Sequence, residues 1–462
     1  MVRLFKHYVP HAVLLLGVVD ALSLLIAADL SWLVRARQID MAPGSLAERL
    51  PQMVSFAAAM QLALVAVGAY GAASFRSLRF AAARLVVAIS LGTIFLALVY
   101  FLVPPLSLWR SNLLYAMMMA GVLLVAVRAL LGRTLGSERF KRRVLVLGAG
   151  RRAAQVQALS TEPGINFVVA GFVAMGGDAA GAVQAEQRDR VGNLADHAVR
   201  LDASEVVLAL EERRNALPLK DLLKVRTAGI QVSDLSTFLE RETGRIDLAS
   251  VNPSWLIFSD GFASGRMLSG AAKRAFDIAA SLLLLAVTLP VILVTALLIK
   301  LESPGPAFYR QRRVGLYSQS FDILKLRSMR QDAESGGRAV WAAQADPRVT
   351  RIGRFIRKVR IDELPQCWTV LKGEMSFVGP RPERPQFVEE LERALPFYAE
   401  RHTVKPGITG WAQINFPYGA SIEDARHKLE YDLYYAKNYS PFLDLLILLQ
   451  TLRVVLWPAG AR

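Results

Sequence analysis

Four apolar stretches fill the first third of this chain, at roughly residues 12–34, 53–73, 85–104 and 112–131. Each is near the ~20 residues a membrane-spanning helix needs, and in lipid a helix satisfies its own backbone. The first run follows Arg3 and Lys6 as a secretory signal would, but it is too long and has no convincing early cleavage site. Four spans are expected. Arg76, Arg79 and Arg84 lie between the second and third runs, and Arg133, Arg139, Lys141, Arg142 and Arg143 follow the fourth. The opposite loops carry only Arg35, Arg37, Arg49 and Arg110. The positive-inside rule then puts the N-terminus and everything after residue 132 in the cytoplasm. Asp20 and Asp29 fall inside the first run and are expected to face other helices rather than lipid.

A fifth run, Phe276 to Ile299, is uncharged apart from Asp277 and carries Pro290 beyond its middle. A straight span here would send the rest of the chain outside the cell. Proline removes one backbone hydrogen bond and bends a helix. The reading taken is a re-entrant membrane helix over 273–300, kinked at Pro290, with both flanks cytoplasmic. Phe442 to Trp457 is apolar but short, and Asp444 and Arg453 interrupt it, so it reads as an interfacial amphipathic helix. The hydrophobic fraction of 53% is too high for an ordinary soluble protein. With long uncharged runs present, the net charge of +16 points to anionic lipid and phosphate ligands, not to nucleic acid. A single cysteine, Cys367, rules out an internal disulfide framework and any Cys-cluster metal site.

Residues 141–155, KRRVLVLGAGRRAAQ, read as a strand, a glycine turn and a helix start, with Gly148, Gly150 and Ala153 at the positions of a dinucleotide fingerprint. Apolar runs at 167–173, 204–210 and 229–235 alternate with helical spacing, as in Leu217 to Ala228. The alternation implies a parallel, Rossmann-like α/β domain over 140–265. Its ligand is left open. The second strand ends without an acid placed for a ribose hydroxyl, Asp178 comes too late, and Arg151-Arg152 suit either a phosphate or solvent.

Residues 361–383, IDELPQCWTVLKGEMSFVGPRPE, concentrate the chemistry. The adjacent acids Asp362 and Glu363 repel and need a metal ion or cations to stay ionised together. A metal also suits a diphosphate substrate, so the pair suggests phosphoryl transfer. Arg351, Arg354, Arg357, Lys358 and Arg360 precede it at helical spacings, suited to substrate or to anionic headgroups. Lys325 and Arg327 are further candidate cations, and Arg381 is fixed between Pro380 and Pro382 on a turn opened by Gly379. Outside such a setting, Asp362-Glu363 would read as solvated acids at a helix end. Lys405, Gly407 and Thr409 suit a substrate loop or a structural turn, and His402 reads as structural.

Six blocks from Lys273 onward resemble the bacterial sugar transferase family, the monotopic polyprenyl-phosphate phosphoglycosyl transferases. They are KRAFDIAAS at 273–281, ESPGPAFYRQRRVG at 302–315, FDILKLRSM at 321–329, DPRVTRIGRFIRKVRIDELPQ at 346–366, LKGEMSFVGPRPE at 371–383 and KPGITGWAQIN at 405–415. With four N-terminal helices (1–135) and the Rossmann-like unit, the chain looks like the large fused form, its catalytic domain covering 270–462. The resemblance implies an α-rich monotopic catalytic domain in the bacterial inner membrane. It implies a UDP-sugar donor, an undecaprenyl phosphate acceptor, magnesium (manganese as the substitute) bound through Asp362, and a homodimer. It assigns Asp362 as nucleophile and Glu363 as partner acid. Lys325, Arg327, Arg357, Arg360, Gly379, Pro380, Arg381 and Pro382 become substrate-binding positions. Cys367, Thr369 and Glu374 depart from the family pattern without touching the dyad. The competing reading is a membrane-tethered, NAD-dependent nucleotide-sugar oxidoreductase or dehydratase. It needs a Tyr-x-x-x-Lys pair after the glycine turn, yet no tyrosine occurs between Leu135 and Phe308.

Overall fold

The computed structural model describes residues 2–4, 7–70, 78–135, 141–162, 165–175, 182–211, 217–251, 257, 267–330, 348–416 and 421–456. Arg76, Arg139 and Asp178 lie outside them, as do the side chains of Arg79 and Arg133. The chain divides into two units, Met1–Gly244 and Arg245–Arg462.

In the first unit a short hairpin, β1 (Val2–Leu4) with β2 (His7–Val9), precedes four long helices: α1 (His11–Gln38), α2 (Leu46–Val67), α3 (Leu78–Leu102) and α4 (Arg110–Leu135). Each contains a stretch long and apolar enough to cross a membrane. A capping box of Ser45 and Glu48 starts α2, and Gly68 ends it in the left-handed conformation that glycine tolerates (φ 73°). Leu24, Phe56, Met60, Leu96 and Leu124 share one buried cluster drawn from all four helices. Both aspartates of α1 face neighbouring helices. Asp20 accepts two bonds from Arg128 (2.7 and 2.9 Å) and one from the Tyr70 hydroxyl (2.8 Å), and Asp29 accepts from Arg49 (2.7 Å).

The same unit carries a parallel five-stranded sheet in the order β5-β4-β3-β6-β7. Its elements are β3 (Arg142–Leu147), α5 (Arg151–Thr161), β4 (Phe167–Ala174), β5 (Glu186–Gln187), α6 (Arg188–Val191), α7 (Leu194–Arg200), β6 (Glu205–Leu208), α8 (Leu219–Thr227), β7 (Gln231–Asp234) and α9 (Leu235–Thr243). Alternate side chains of β3 enter opposite cores, as the two-residue period of a strand requires. Val144 and Val146 pack with Val156 and Phe238, and Leu145 and Leu147 with Leu194 and Val225.

The glycine turn holds a carboxylate from its own chain. Glu211 Oε1 accepts from the Arg152 backbone N–H at the start of α5 (3.0 Å), and Arg152 Nη1 donates to the Leu210 carbonyl (2.8 Å). A Cβ on Gly150 would stand 2.7 Å from Glu211 Oε1, so this glycine makes room for Glu211.

The second unit begins earlier than the sequence suggested. Ile246, Leu248 and Val251, expected in the middle domain, are buried in its core, and the Ile246 N–H donates to the Glu430 carbonyl (3.0 Å). After α10 (Met267–Glu302) come β8 (Phe308–Val314), β9 (Ser320–Leu326), α11 (Arg351–Lys358), α12 (Gln366–Lys372), β10 (Ser376–Val378), α13 (Pro385–Ala394), β11 (Gly407–Thr409), α14 (Trp411–Asn415), α15 (Ile422–Asn438) and α16 (Pro441–Leu456). Helix α10 runs unbroken through Pro290, so the proline sits within one helix and does not separate two.

Both halves of α10 are tied to this unit. Near its start, Lys273 Nζ reaches the Val378 carbonyl (3.0 Å), the Tyr435 hydroxyl (3.2 Å) and Asp444 (2.5 Å). Arg274 donates to the Val370 and Leu371 carbonyls (2.7 and 2.6 Å), capping α12. Asp277, the charge in the apolar run, accepts from Ser376 Oγ (3.0 Å) and Phe377 N–H (3.1 Å). Near its end, Ile292 and Ile299 pack with Ala307, Leu326 and Ile356, and Glu302 accepts from the first N–H groups of α11 at Arg351 (2.8 Å) and Ile352 (3.1 Å).

Candidate active site

Asp362 and Glu363 lie in a 3-10 turn, Ile361–Glu363, that follows α11. The helix is started by Thr350, whose hydroxyl accepts from Gly353 N–H (2.9 Å). The chain leaves it through Arg360 in the left-handed region (φ 61°). A side chain there costs roughly 1–2 kcal/mol, and the reversal swings the two acids back toward the β8–β9 hairpin.

The register of that hairpin decides which side chains meet them. Tyr309 pairs with Lys325, Gln311 with Ile323 and Arg313 with Phe321, so Lys325 and Arg313 share one face. Lys325 Nζ lies 3.4 Å from Glu363 Oε1, Arg381 Nη2 donates to the same oxygen at 2.8 Å, and Arg360 approaches Oε2 at 3.5 Å. Burial favours the neutral acid, but Arg381, Lys325 and Arg360 outweigh it and hold Glu363 well below the usual carboxylate range. Asp362 is treated differently. It is 9% exposed, and its Oδ1 is buried with no hydrogen-bond partner among the described residues. Burial and then the charge of Glu363 push its carboxyl up, and Lys325, Arg357 and Arg360 offset only part of that. Two neighbouring acids therefore have separate conditions: one is ringed by cations and lowered, the other buried and raised.

The Pro380-Arg381-Pro382 turn is fixed from behind. Gly379 N–H donates to the Thr409 carbonyl and Gly407 N–H to the Pro380 carbonyl, both at 2.9 Å. A Cβ on Gly379 would fall 2.2 Å from the Lys405 carbonyl oxygen, so only glycine lets these backbones cross. Arg401 Nη2 donates to the Arg381 carbonyl (2.9 Å). Its guanidinium is itself held by Asp432 (3.0 and 2.7 Å) and the Tyr398 hydroxyl (3.0 Å), all buried. Arg313 donates to the Pro382 carbonyl (3.0 Å) and faces Glu383 (3.5 Å). Burial lowers its guanidinium to about 10, with Arg381 and Arg384 adding to the effect against the pull of Glu383.

The residues expected from sequence separate into groups. Lys325, Arg360 and Arg381 meet at Glu363, and the charge of Arg357 is felt at Asp362. Gly379, Pro380 and Pro382 shape the turn. Arg327 points elsewhere, and its guanidinium donates to the Pro304 carbonyl (2.6 Å) and the Ser303 carbonyl and hydroxyl (2.8 and 2.9 Å) beyond the end of α10. Gly407 and Thr409 serve the strand crossing through their backbones. His402 is buried beside Ser318 (3.3 Å), and burial drops its pKa to about 3. The Cys367 thiol is buried and pushed up by burial, as suits packing. Arg313, Arg401 and Asp432 were not singled out from the sequence. Arg313 does stand in one of the six family-like blocks, but its face depends on a register that composition does not reveal.

Helices of spanning length mark a membrane protein, and its second unit carries an acid pair ringed by cations. The bacterial sugar transferase family model matches residues 268–458. A UDP-glucose:undecaprenyl-phosphate glucose-1-phosphate transferase of Klebsiella pneumoniae is 33% identical over 339 residues, covering 70% of each chain. The chain belongs to the bacterial sugar transferase family. A UDP-N-acetylgalactosamine-undecaprenyl-phosphate N-acetylgalactosaminephosphotransferase of Aeromonas hydrophila is 45% identical over 241 residues, 52% of this chain and 56% of that protein. An undecaprenyl-phosphate glucose phosphotransferase of Komagataeibacter xylinus is 46% identical over 186 residues, 39% of this chain and 35% of that protein. The chain thus spans about half or less of the length of these last two relatives.

Proposed function

We propose that this chain transfers sugar-1-phosphate from a UDP-sugar to undecaprenyl phosphate, giving undecaprenyl-diphosphate-sugar and UMP. The observation that carries this reading is the divided dyad, with Glu363 bound by Lys325, Arg360 and Arg381 while Asp362 Oδ1 has no partner among the described residues. All three relatives act in sugar phosphate transfer to undecaprenyl phosphate. An Asp362 oxygen attacks the phosphorus bearing the sugar, and the bond from that phosphorus to the bridging oxygen breaks. UMP departs with that oxygen and its electron pair. An oxygen of undecaprenyl phosphate then attacks the same phosphorus and the Asp362 carboxylate is released. Splitting one displacement into two is the usual gain from a covalent nucleophile. Lys325, Arg357, Arg360 and Arg381 surround the phosphoryl oxygens with positive charge, and Glu363 keeps those cations in place. Relatives that differ in sugar leave the hexose unassigned.

Magnesium, or manganese in its place, would supply charge neutralisation of the diphosphate. The donor set fits: magnesium retains several waters and takes one or two carboxylates plus substrate phosphates. Asp362 with its orphaned oxygen, beside Glu363, offers that. No group of three His, Cys, Asp or Glu suited to an all-protein cage is present among the described residues.

The catalytic unit sits, in this reading, on the cytoplasmic face of the inner membrane with α10 re-entrant, and the four long helices of the first unit form a transmembrane bundle. Support comes from Lys273, Arg274 and Asp277 at one end of α10 and Ile299 and Glu302 at the other, all bound to one unit. A straight span would put ~30 Å of hydrocarbon between those ends. On α11, Phe355 is 61% exposed between exposed Arg354 and Lys358, as suits headgroup contact. The Rossmann-like domain is best read as a scaffold. Glu211 holds the turn where a dinucleotide phosphate would bind, which disfavours the oxidoreductase alternative.

The test uses purified protein, undecaprenyl phosphate, magnesium and a panel of UDP-sugars. UMP should appear with one or two sugars, and vanish with EDTA or Asp362→Asn. UMP release unaffected by Asp362→Asn would refute the assignment.

A further inference from the structure

The face of the β8–β9 hairpin that carries Lys325 and Arg313 also carries Gln311. Gln311 pairs with Ile323, so Lys325 is its diagonal neighbour, at roughly 7 Å between Cβ atoms and within reach of long side chains. Arg313 fixes the Gln311 amide. Its Nε and Nη2 donate to Gln311 Oε1 (3.1 and 2.6 Å), while Nη1 donates to the Pro382 carbonyl (3.0 Å). Arginine has donors only, so the atom this fork grips is the amide oxygen, and the NH2 group is turned away from it. Gln311 is half-buried, and its Nε2 donates to no group among the described residues.

An amide with its oxygen taken and its two N–H bonds free complements an oxygen that carries charge. The groups along this face give its place. Lys325 responds to Glu363 and Asp362, and Arg313 to Glu383, Arg381 and Glu363. The face thus runs from the dyad toward the Pro-Arg-Pro turn, with Gln311 between. Displacement at phosphorus is in line, so the leaving oxygen stands opposite the attacking one. In a two-step transfer through Asp362, UMP departs from the position that the lipid phosphate later enters. One donor there serves both steps. A neutral amide stabilises the charge that grows on that oxygen while binding either ground state less tightly than a cation would.

We infer that Gln311 Nε2 donates to the phosphorus-bound oxygen opposite Asp362, the one that UMP takes away and undecaprenyl phosphate brings. The inference rests on the proposed two-step transfer, and the experiment separates the two. Gln311→Glu keeps an oxygen for the Arg313 fork and removes both N–H donors; Gln311→Met removes donors and acceptor without adding charge. Each purified full-length variant is given a saturating UDP-sugar that wild type uses, to read the UMP burst, then undecaprenyl phosphate, to read discharge. Both variants should slow both half-reactions by a similar factor, roughly 10- to 100-fold, the loss of one hydrogen bond to a charged oxygen. The half-saturating donor concentration should stay within a few-fold. Gln311→Glu should keep the wild-type melting temperature, and Gln311→Met should lower it. A wild-type rate in Gln311→Glu would show that the amide only braces Arg313, and a wild-type rate in Gln311→Met that added charge did the damage; either overturns the assignment. A slow burst with discharge intact overturns the shared position. A wild-type protein with no burst would instead sink the donor reading.

Discussion

Lys325→Met is the most informative single change, because Lys325 bears on both members of the dyad. Its amine is 3.4 Å from Glu363, and both side chains are largely buried. At an effective dielectric of 20 that separation corresponds to about 5 kcal/mol of attraction, and breaking a buried pair costs roughly 3–5 kcal/mol. Arg381 and Arg360 remain on Glu363, so we expect about 2–3 kcal/mol, a 30- to 150-fold loss in the donor half-reaction. The second effect has a definite sign. Lys325 is among the cations that lower Asp362, a carboxyl already raised by burial and by Glu363. Without it Asp362 rises further. Activity that needs ionised Asp362 is lost as pH falls through its pKa, so the acid limb must move to higher pH. The UMP burst, measured from pH 5 to 9 without acceptor, gives both numbers, and Lys325→Arg should restore most of the rate. An acid limb that stays put, or moves to lower pH, would refute the electrostatic account of the dyad.

Other outcomes follow from the same contacts. Arg327→Lys should lower thermal stability while leaving the UMP burst within a few-fold, whereas Arg381→Lys should lower the burst by 10-fold or more, since one fork holds carbonyls and the other holds Glu363; roughly 1.4 kcal/mol is tenfold. Asp432→Asn should cost about 3–5 kcal/mol by leaving Arg401 buried without its counter-charge, and raise the donor KM through the loosened Arg381 turn, both readable by denaturant melts and kinetics. Glu211→Ala should lower the melting temperature, and inorganic phosphate should recover more of that loss than it adds to wild type; equal phosphate effects would contradict the filled glycine turn.

The acids, the Pro-Arg-Pro turn and the long apolar runs were legible because each is local: contiguous residues, periodicity, or a fixed turn. The division of labour between Asp362 and Glu363 was not. It depends on Lys325, 38 residues earlier, and Arg381, 18 residues later, both converging on one carboxylate. The contacts of Arg327 were not legible either, since its guanidinium donates to Ser303 and Pro304, more than twenty residues earlier. The glycine turn read as a fingerprint, but the occupant of its anion site, Glu211, is 59 residues from Arg152. The boundary near Gly244 was hidden because Ile246, Leu248 and Val251 continue the apolar alternation of the preceding strands.

The central claim is that Asp362 becomes esterified by a phosphosugar. Incubating the purified protein with a UDP-sugar in the absence of acceptor, then weighing the acid-quenched protein and its peptides, tests it most directly. A mass increase equal to one hexose phosphate, confined to the peptide containing Asp362 and lost on adding undecaprenyl phosphate, is the predicted result. Stoichiometric UMP release with no adduct, or an adduct that persists in Asp362→Asn, would contradict it.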